Sequence, residues 1–549
     1  MVKKPNILII LTDEERYPPV YETAELAAWR KSNLPAHELL RSHGLEFRQH
    51  YIASSACCPS RTSLFTGQYP SLHGVTQTPG AAKRAFDPDM LWLDANTVPT
   101  LGDYFRLYGY RTFYKGKWHI SRPDILIPGT QISFSSYDNA NGVPQPAKEK
   151  LYLEANRLDA FGFEGWIGPE PHGPNPHDSG SSAAHGISGR DEAYASMVTS
   201  LLDLLEEERM TLARSGSSPQ PWLIVASFVN PHDIVLYGDY SALSPHFRFP
   251  VSPSIPRIPY PPTYQETLAD RPRCQRSYRD VYPLAFQPIS DMEHYFRLYY
   301  QLQQNVDTQM LRVLDKLQQA SFYEETIVIF TSDHGELLGA HGGLHQKFYC
   351  AYQEALHVPL IVHNPRLFRE PQQLDIPTSH IDLLPTILGL AGADPIALQK
   401  TLRTSHTETR PLPGRNLCDL VAGKQSIPRL WEPLYFMTAD DPTRGLNQVS
   451  LLGVPYHAVI PPKQIETVIA SLQTVTDVAL WKYSRYFDPT GVLPDEWELY
   501  NLTADPEEQV NLADASCATT ESRRVQQAMA QLLEQQARQK RLTPASHNR

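Results

Sequence analysis

Ala56-Cys57-Cys58-Pro59-Ser60-Arg61-Thr62-Ser63-Leu64-Phe65-Thr66-Gly67 is the stretch around which the rest of the chain makes sense. Pro59 suits the first residue of a helix, where its missing amide hydrogen would be unsatisfied anyway, and Gly67 suits the residue that ends a short one. The pattern predicts a helix opening at Pro59, with Cys57 just ahead of its N-terminus. Free amide hydrogens and the helix dipole favour negative charge there, and Arg61 adds a permanent cation about one turn further in. Adjacent cysteines alone read as buried core thiols or a redox pair, because free cysteine is among the most buried residue types. Proline, serine and arginine at these offsets point instead to a site built for an anion.

Working outward, three apolar runs each end in residues that carry chemistry. Asn6 to Thr12 is Ile-rich and stops at Asp13-Glu14; Pro221 to Val229 stops at Asn230-Pro231-His232-Asp233; Thr326 to Ser332 stops at Asp333-His334-Gly335-Glu336. Short, nearly continuous apolar runs are the mark of buried parallel strands, and open α/β sheets gather ligands at the C-terminal edge of such strands. Acids after a strand also cap helices, and a histidine there is often structural. Gly109 to Tyr114 is a further strand, leading into Lys115-Gly116-Lys117-Trp118-His119; a Lys-x-His pair on a loop is by itself more often a solvated surface feature. Helical spacing marks the segment after Thr100, Asp191 to Glu208 and Asp291 to about Ala320, where Tyr299, Leu302 and Val306 read as core. Residues 121–188 and 234–285 are rich in Gly, Pro, Asn, Ser or Tyr and read as long irregular loops around a site.

Length and composition limit the function. At 549 residues two domains are expected, and 41% hydrophobic with 20% charged residues describes an ordinary globular chain. A net charge of −11 argues against a nucleic-acid binder. An anionic substrate must therefore meet a local cationic pocket acting against the global field. Six scattered cysteines, at 57, 58, 274, 350, 418 and 517, suggest a reducing compartment rather than a disulfide framework. The N-terminus lacks the pattern of a signal peptide and no later run is long enough to span a bilayer, so a cytoplasmic protein without membrane contact is expected.

Cys57-x-Pro59-Ser60-Arg61, with Thr66-Gly67 and Tyr69-Pro70 behind it, resembles the signature of the formylglycine-dependent (type I) sulfatases of the alkaline phosphatase superfamily. Gly116-Lys117-Trp118-His119, Asp333-His334-Gly335, Leu344-His345-Gln346-Lys347 and the segment from Lys482 to Leu512 are similar to further family motifs. The resemblance implies a large mixed, mostly parallel α/β sheet sandwiched by helices, over residues 1–425, with a smaller C-terminal α+β subdomain over 426–515 and a helical tail over 516–549. It implies that Cys57 is oxidised by a formylglycine-generating enzyme and that the hydrated aldehyde is the nucleophile. Asp13, Glu14, Cys57, Asp333 and His334 would surround one divalent cation. Glu14 departs from the aspartate usual in the family, keeping the charge but adding a methylene. Arg61, Lys117 and Lys347 would face the transferring group, His232 or Lys347 would protonate the leaving oxygen, and His119 would expel sulfate. Three cations balance three carboxylates, so a dication makes the pocket cationic although the chain is acidic. Oxygen-rich ligation suits calcium first, with magnesium or, given an imidazole, manganese also suited.

The expected activity is hydrolysis of a small-molecule sulfate ester. The alternatives are a phosphonate monoester or phosphodiester hydrolase with the same nucleophile, and an inactive relative that only binds anions or metal. Glu521 to Lys540 is a polar helix with a narrow apolar stripe that could pack on the body or on a second subunit of a homo-oligomer.

Overall fold

A computed structural model describes residues 4–171, 176–181, 189–424, 430–473 and 478–545. The expected boundary at 425/426 falls outside the described residues.

The strands of the main sheet are β1 (Asn6–Asp13), β2 (Gly44–Tyr51), β3 (Arg111–Gly116), β4 (Trp222–Pro231), β5 (Thr326–Ser332), β6 (Leu360–His363) and β7 (Gln372–Ser379). They lie in the order β3-β4-β1-β5-β6-β2-β7. All neighbouring pairs are parallel except those made by β6, which runs against both β5 and β2. The expected mixed, mostly parallel sheet is present. Alternation along β1 explains why it is buried on both sides. Ile7, Ile9 and Leu11 pack with Leu64 and Phe65 of helix α1 (Cys57–Thr66). Leu8 and Ile10 pack on the opposite face with Leu202 of α2 (Arg190–Arg214) and with Val306 and Met310 of α3 (Met292–Gln319). Successive strand side chains point to opposite faces, so a strand between two helical layers must be apolar throughout.

A second, antiparallel sheet of β8 (Leu434–Thr438), β9 (Gln464–Gln473), β10 (Val478–Phe487) and β11 (Glu496–Asn501) runs in the order β11-β10-β9-β8. Helix α4 (Thr520–Lys540) lies on this sheet through its apolar stripe. Met529 and Leu533 are buried with Tyr435, Val468, Trp481 and Leu499. The stripe is thus satisfied within the chain. The small sheet also shares a core with the end of β2 and the segment after it, where Tyr51, Ile52 and Ala56 pack with Leu434, Phe436 and Ile465.

Local expectations are corrected at three points. Helix α1 opens at Cys57, two residues earlier than predicted, with Ala56 as its cap and Gly67 in the left-handed conformation (φ 62°) closing it. Pro59 sits in the first turn, where its missing donor is still one that the helix cannot satisfy. The two regions expected to be irregular each contain a helix, Pro146–Ala155 and Arg273–Ala285. No single helix among the described residues is long and apolar enough to cross a membrane.

Candidate active site

Parallel pairing on both sides of β1 gathers the strand-end residues. Thr12 pairs with Ser332, so Asp13 and Asp333 leave the sheet side by side, and a register shift after Leu11 sets Asp13 opposite Pro231, next to His232. At the end of β3, Gly116 pairs with Ser227 at φ 109°, and a Cβ there would lie 1.8 Å from the Ser227 carbonyl oxygen. Only glycine allows β3 to deliver Lys117, whose amide donates to that carbonyl at 3.0 Å. Gly335 serves close approach: its amide donates to the Ala355 carbonyl, and a Cβ would lie 2.0 Å from the Glu354 oxygen.

Four of the expected residues meet at one buried point. Donor atoms of Asp13, Cys57, Asp333 and His334 all lie within 4.8 Å of one another. Cys57 Sγ is 3.1 Å from His334 Nε2 and 3.9 Å from Asp13 Oδ1, while His334 Nε2 is 3.6 Å from both Asp13 Oδ1 and Asp333 Oδ1. Glu14 is outside this set. It groups instead with Asp13 and His232, and its Oε1 is 3.0 Å from Lys347 Nζ.

The cations divide into two kinds. Arg61 was expected to face the transferring group, yet every nitrogen of its guanidinium is committed to the protein. Nε donates to Asp333 Oδ2 at 2.7 Å, Nη2 to Asp13 Oδ2 at 3.0 Å, and Nη1 to the Lys117 carbonyl at 2.8 Å and Ser227 Oγ at 2.9 Å. It is a clamp on two carboxylates, a task its planar fork suits. Lys117 Nζ lies 2.6 Å from Asp13 Oδ2 and Lys347 pairs with Glu14, each with donors to spare.

Burial makes this charge arrangement demanding. It acts to raise the Asp13 pKa, but Lys117, His232 and Arg61 outweigh it and hold the carboxyl well below the usual range. Burial and the Asp13 charge push Asp333 up to about 7. Burial also pushes Glu14 well above its ordinary value against the pull of Lys347, and the neighbouring Glu336 carboxyl adds to the rise. Two adjacent carboxylates that cannot both ionise freely and a neutral imidazole make a donor set that fits a hard or borderline divalent cation.

Several supporting residues carried no sequence signal. Tyr299, expected as core, accepts from the Arg16 amide and donates to the Glu14 carbonyl at 2.9 Å, fixing Glu14 in a left-handed conformation (φ 71°). Glu170 accepts the amides of Trp118 and His119, holding His119 at φ 58°. Glu336 accepts from the amides of Leu338 and Gln346 and from Tyr295 Oη, pinning the loop that carries Lys347. The imidazole of His380 contacts the Ser332 carbonyl and Ser60 Oγ, tying α1 to the end of β5. Ser227 could have been read from its place near the end of an apolar strand; Glu170, in an irregular loop, could not.

Comparison with known proteins bears on this geometry. A family model described as Sulfatase matches residues 5–393. The uncharacterized sulfatase YidJ of Escherichia coli K12 is 28% identical over 399 residues, covering 72% of this chain and 69% of the relative. The structure of a 2-O GAG sulfatase superposes with a TM-score of 0.59 at 20% identity, covering 98% of this chain and 93% of the other. A phosphonate monoester hydrolase of Agrobacterium radiobacter superposes with a TM-score of 0.60 at 20% identity, covering 98% and 96%.

Proposed function

The chain belongs to the sulfatase family, and we propose that it hydrolyses a sulfate ester to an alcohol and sulfate with the oxidised side chain of Cys57 as nucleophile. The observation that carries this reading is the position of Cys57 Sγ, buried at the N-terminus of α1 and within reach of Asp13, Asp333 and His334. Oxidation of Cys57 to formylglycine by a formylglycine-generating enzyme would replace the sulfur with an aldehyde, whose hydrate offers two hydroxyl groups. Asp13, Asp333 and His334 would hold a divalent cation, calcium by preference, that makes such a hydroxyl more acidic and offsets charge on the ester oxygens.

The chain's own residues account for the remaining demands. Lys117 and Lys347 are kept protonated by Asp13 and Glu14 against the cost of burial, and both have spare donors to offer the oxygens of a sulfate ester. His232 is neutral in the resting site, held so by burial and Lys117. Lys347 is therefore the group that carries a proton for the leaving oxygen. After the alcohol departs, His119 takes the proton from the second hydroxyl, sulfate leaves, and the aldehyde is restored.

The same machinery would accept a phosphonate monoester, and the fold is shared with an enzyme of that name. Turnover of matched 4-nitrophenyl sulfate and phenylphosphonate esters separates the readings. Dominance of the sulfate is expected; dominance of the phosphonate would replace this proposal with the second reading.

A further inference from the structure

Beside the site lies a cavity of about 290 Å³, walled on its inner side by His119 and Glu170. Glu170 holds the His119 amide and is within electrostatic reach of Arg61 and Lys117, so the cavity adjoins the proposed reaction centre through this shared wall. Its outer walls are unlike the rest of the acidic surface. Phe86 and Trp92 supply aromatic side chains, and two exposed arginines, Arg122 and Arg157, line the same space. The Arg122 guanidinium lies over the Phe86 ring at 5.2 Å, and Arg157 Nε donates to the Pro123 carbonyl at 3.0 Å. Among the described residues neither arginine forms an ion pair. Of the cavity's acids, Asp124 is taken up by the Glu170 amide and Ser133 Oγ, at 2.9 and 2.6 Å. Burial and Asp124 push Glu170 up to about 8, so it carries little charge at neutral pH.

Unpaired guanidinium groups beside aromatic faces recognise flat or ring-shaped anions, because Arg offers several donors in one plane and the rings supply apolar contact. We propose that this cavity binds the alcohol portion of the substrate, and that this portion is a single ring carrying a second anionic group, a carboxylate or sulfate, met by Arg122 and Arg157. The inference rests on the sulfate-ester reading and adds the substrate class to it. The ester would lie towards His119 and the second anion towards the two arginines, so the charge that repels a polyanion from the protein as a whole is reversed locally.

The test uses 4-nitrophenyl sulfates bearing either a carboxylate or an uncharged carboxamide at each free ring position. Binding is measured calorimetrically to the Cys57→Ala protein, and turnover is measured on the wild-type enzyme. At one or more positions the carboxylate should bind about tenfold tighter than its carboxamide, as a charge-assisted hydrogen bond at a partly exposed site allows. Arg122→Gln and Arg157→Gln, introduced at exposed positions, should each reduce that preference and leave carboxamide affinity within about twofold. Equal affinity for carboxylate and carboxamide at every position overturns the proposal, as does a loss in the variants that is the same for both. Failure of the sulfate-ester reading looks different: the wild-type enzyme would turn over none of the sulfates, whatever the binding preference.

Discussion

Residue 57 and its neighbours hold a balance that single substitutions should disturb in distinguishable ways. Cys57 is fully buried, and burial with the Asp13 charge raises its thiol well above the ordinary value. In the absence of a cation an unmodified thiol there stays protonated at neutral pH, and the proposed chemistry puts an oxygen in its place. Cys57→Ala should abolish turnover while leaving the thermal midpoint close to wild type, as measured by calorimetry. Arg61 should behave differently, because it holds structure rather than substrate. Arg61→Ala leaves Asp13 and Asp333 facing each other without their clamp, a change that costs about 3–5 kcal/mol for a broken buried pair. Thermal unfolding and kcat should fall together. If stability is unchanged and only kcat drops, Arg61 contacts the transferring group after all.

At the scale of elements, the site depends on how strand ends are fixed. Gly335 lies between His334 and the backbone of Glu354, so Gly335→Ala should displace Asp333 and His334 and reduce activity at least tenfold, by about 1.4 kcal/mol or more in the barrier. Restored activity at raised metal concentration would place the damage in the donor set. A second tie runs behind β1. His37, on the helix Pro35–Ser42, bridges Glu15 after β1 and Asp307 on α3 at 2.8 and 2.6 Å. Burial opposes its charged form, but the two carboxylates raise its pKa to about 9. A histidine raised in the folded state stabilises fully below its unfolded value near 6.5, and the contribution is lost as pH climbs through about 9. His37→Gln should therefore cost on the order of 3 kcal/mol at pH 6 and much less at pH 10. Denaturant titrations at both values check this, and an equal loss at both would show that the bridge is uncharged.

At the scale of the molecule, the small C-terminal sheet buttresses the segment that carries the nucleophile. Asp440, just past β8, accepts from the Ala56 amide at 3.2 Å and the Thr78 amide at 3.1 Å, and the Met437 amide donates to the Ala53 carbonyl. Asp440→Ala should leave two buried amides unpaired, lowering stability by about 1–3 kcal/mol for each and reducing kcat, as unfolding and steady-state rates would report. None of this coupling was legible in the sequence. The apolar runs ending in Asp13, His232 and Asp333 were, because a strand buried on both faces writes itself as a continuous pattern and its edge residues stand out against it. The helix at Cys57 was legible from Pro59 and Gly67, though not its first residue, since proline is tolerated throughout the first turn. Tyr299 looked like core and Glu170 like loop, because a hydrogen bond to a distant backbone leaves no periodicity. These scales meet where strands remote in sequence converge on residue 57, whose oxidised form is proposed to do the chemistry. Peptide mass spectrometry of residue 57 across preparations made with and without a formylglycine-generating enzyme tests this role most directly, with sulfate release measured on the same samples. Specific activity should rise in proportion to the fraction of aldehyde at position 57; full activity in protein that carries only the thiol would contradict the account.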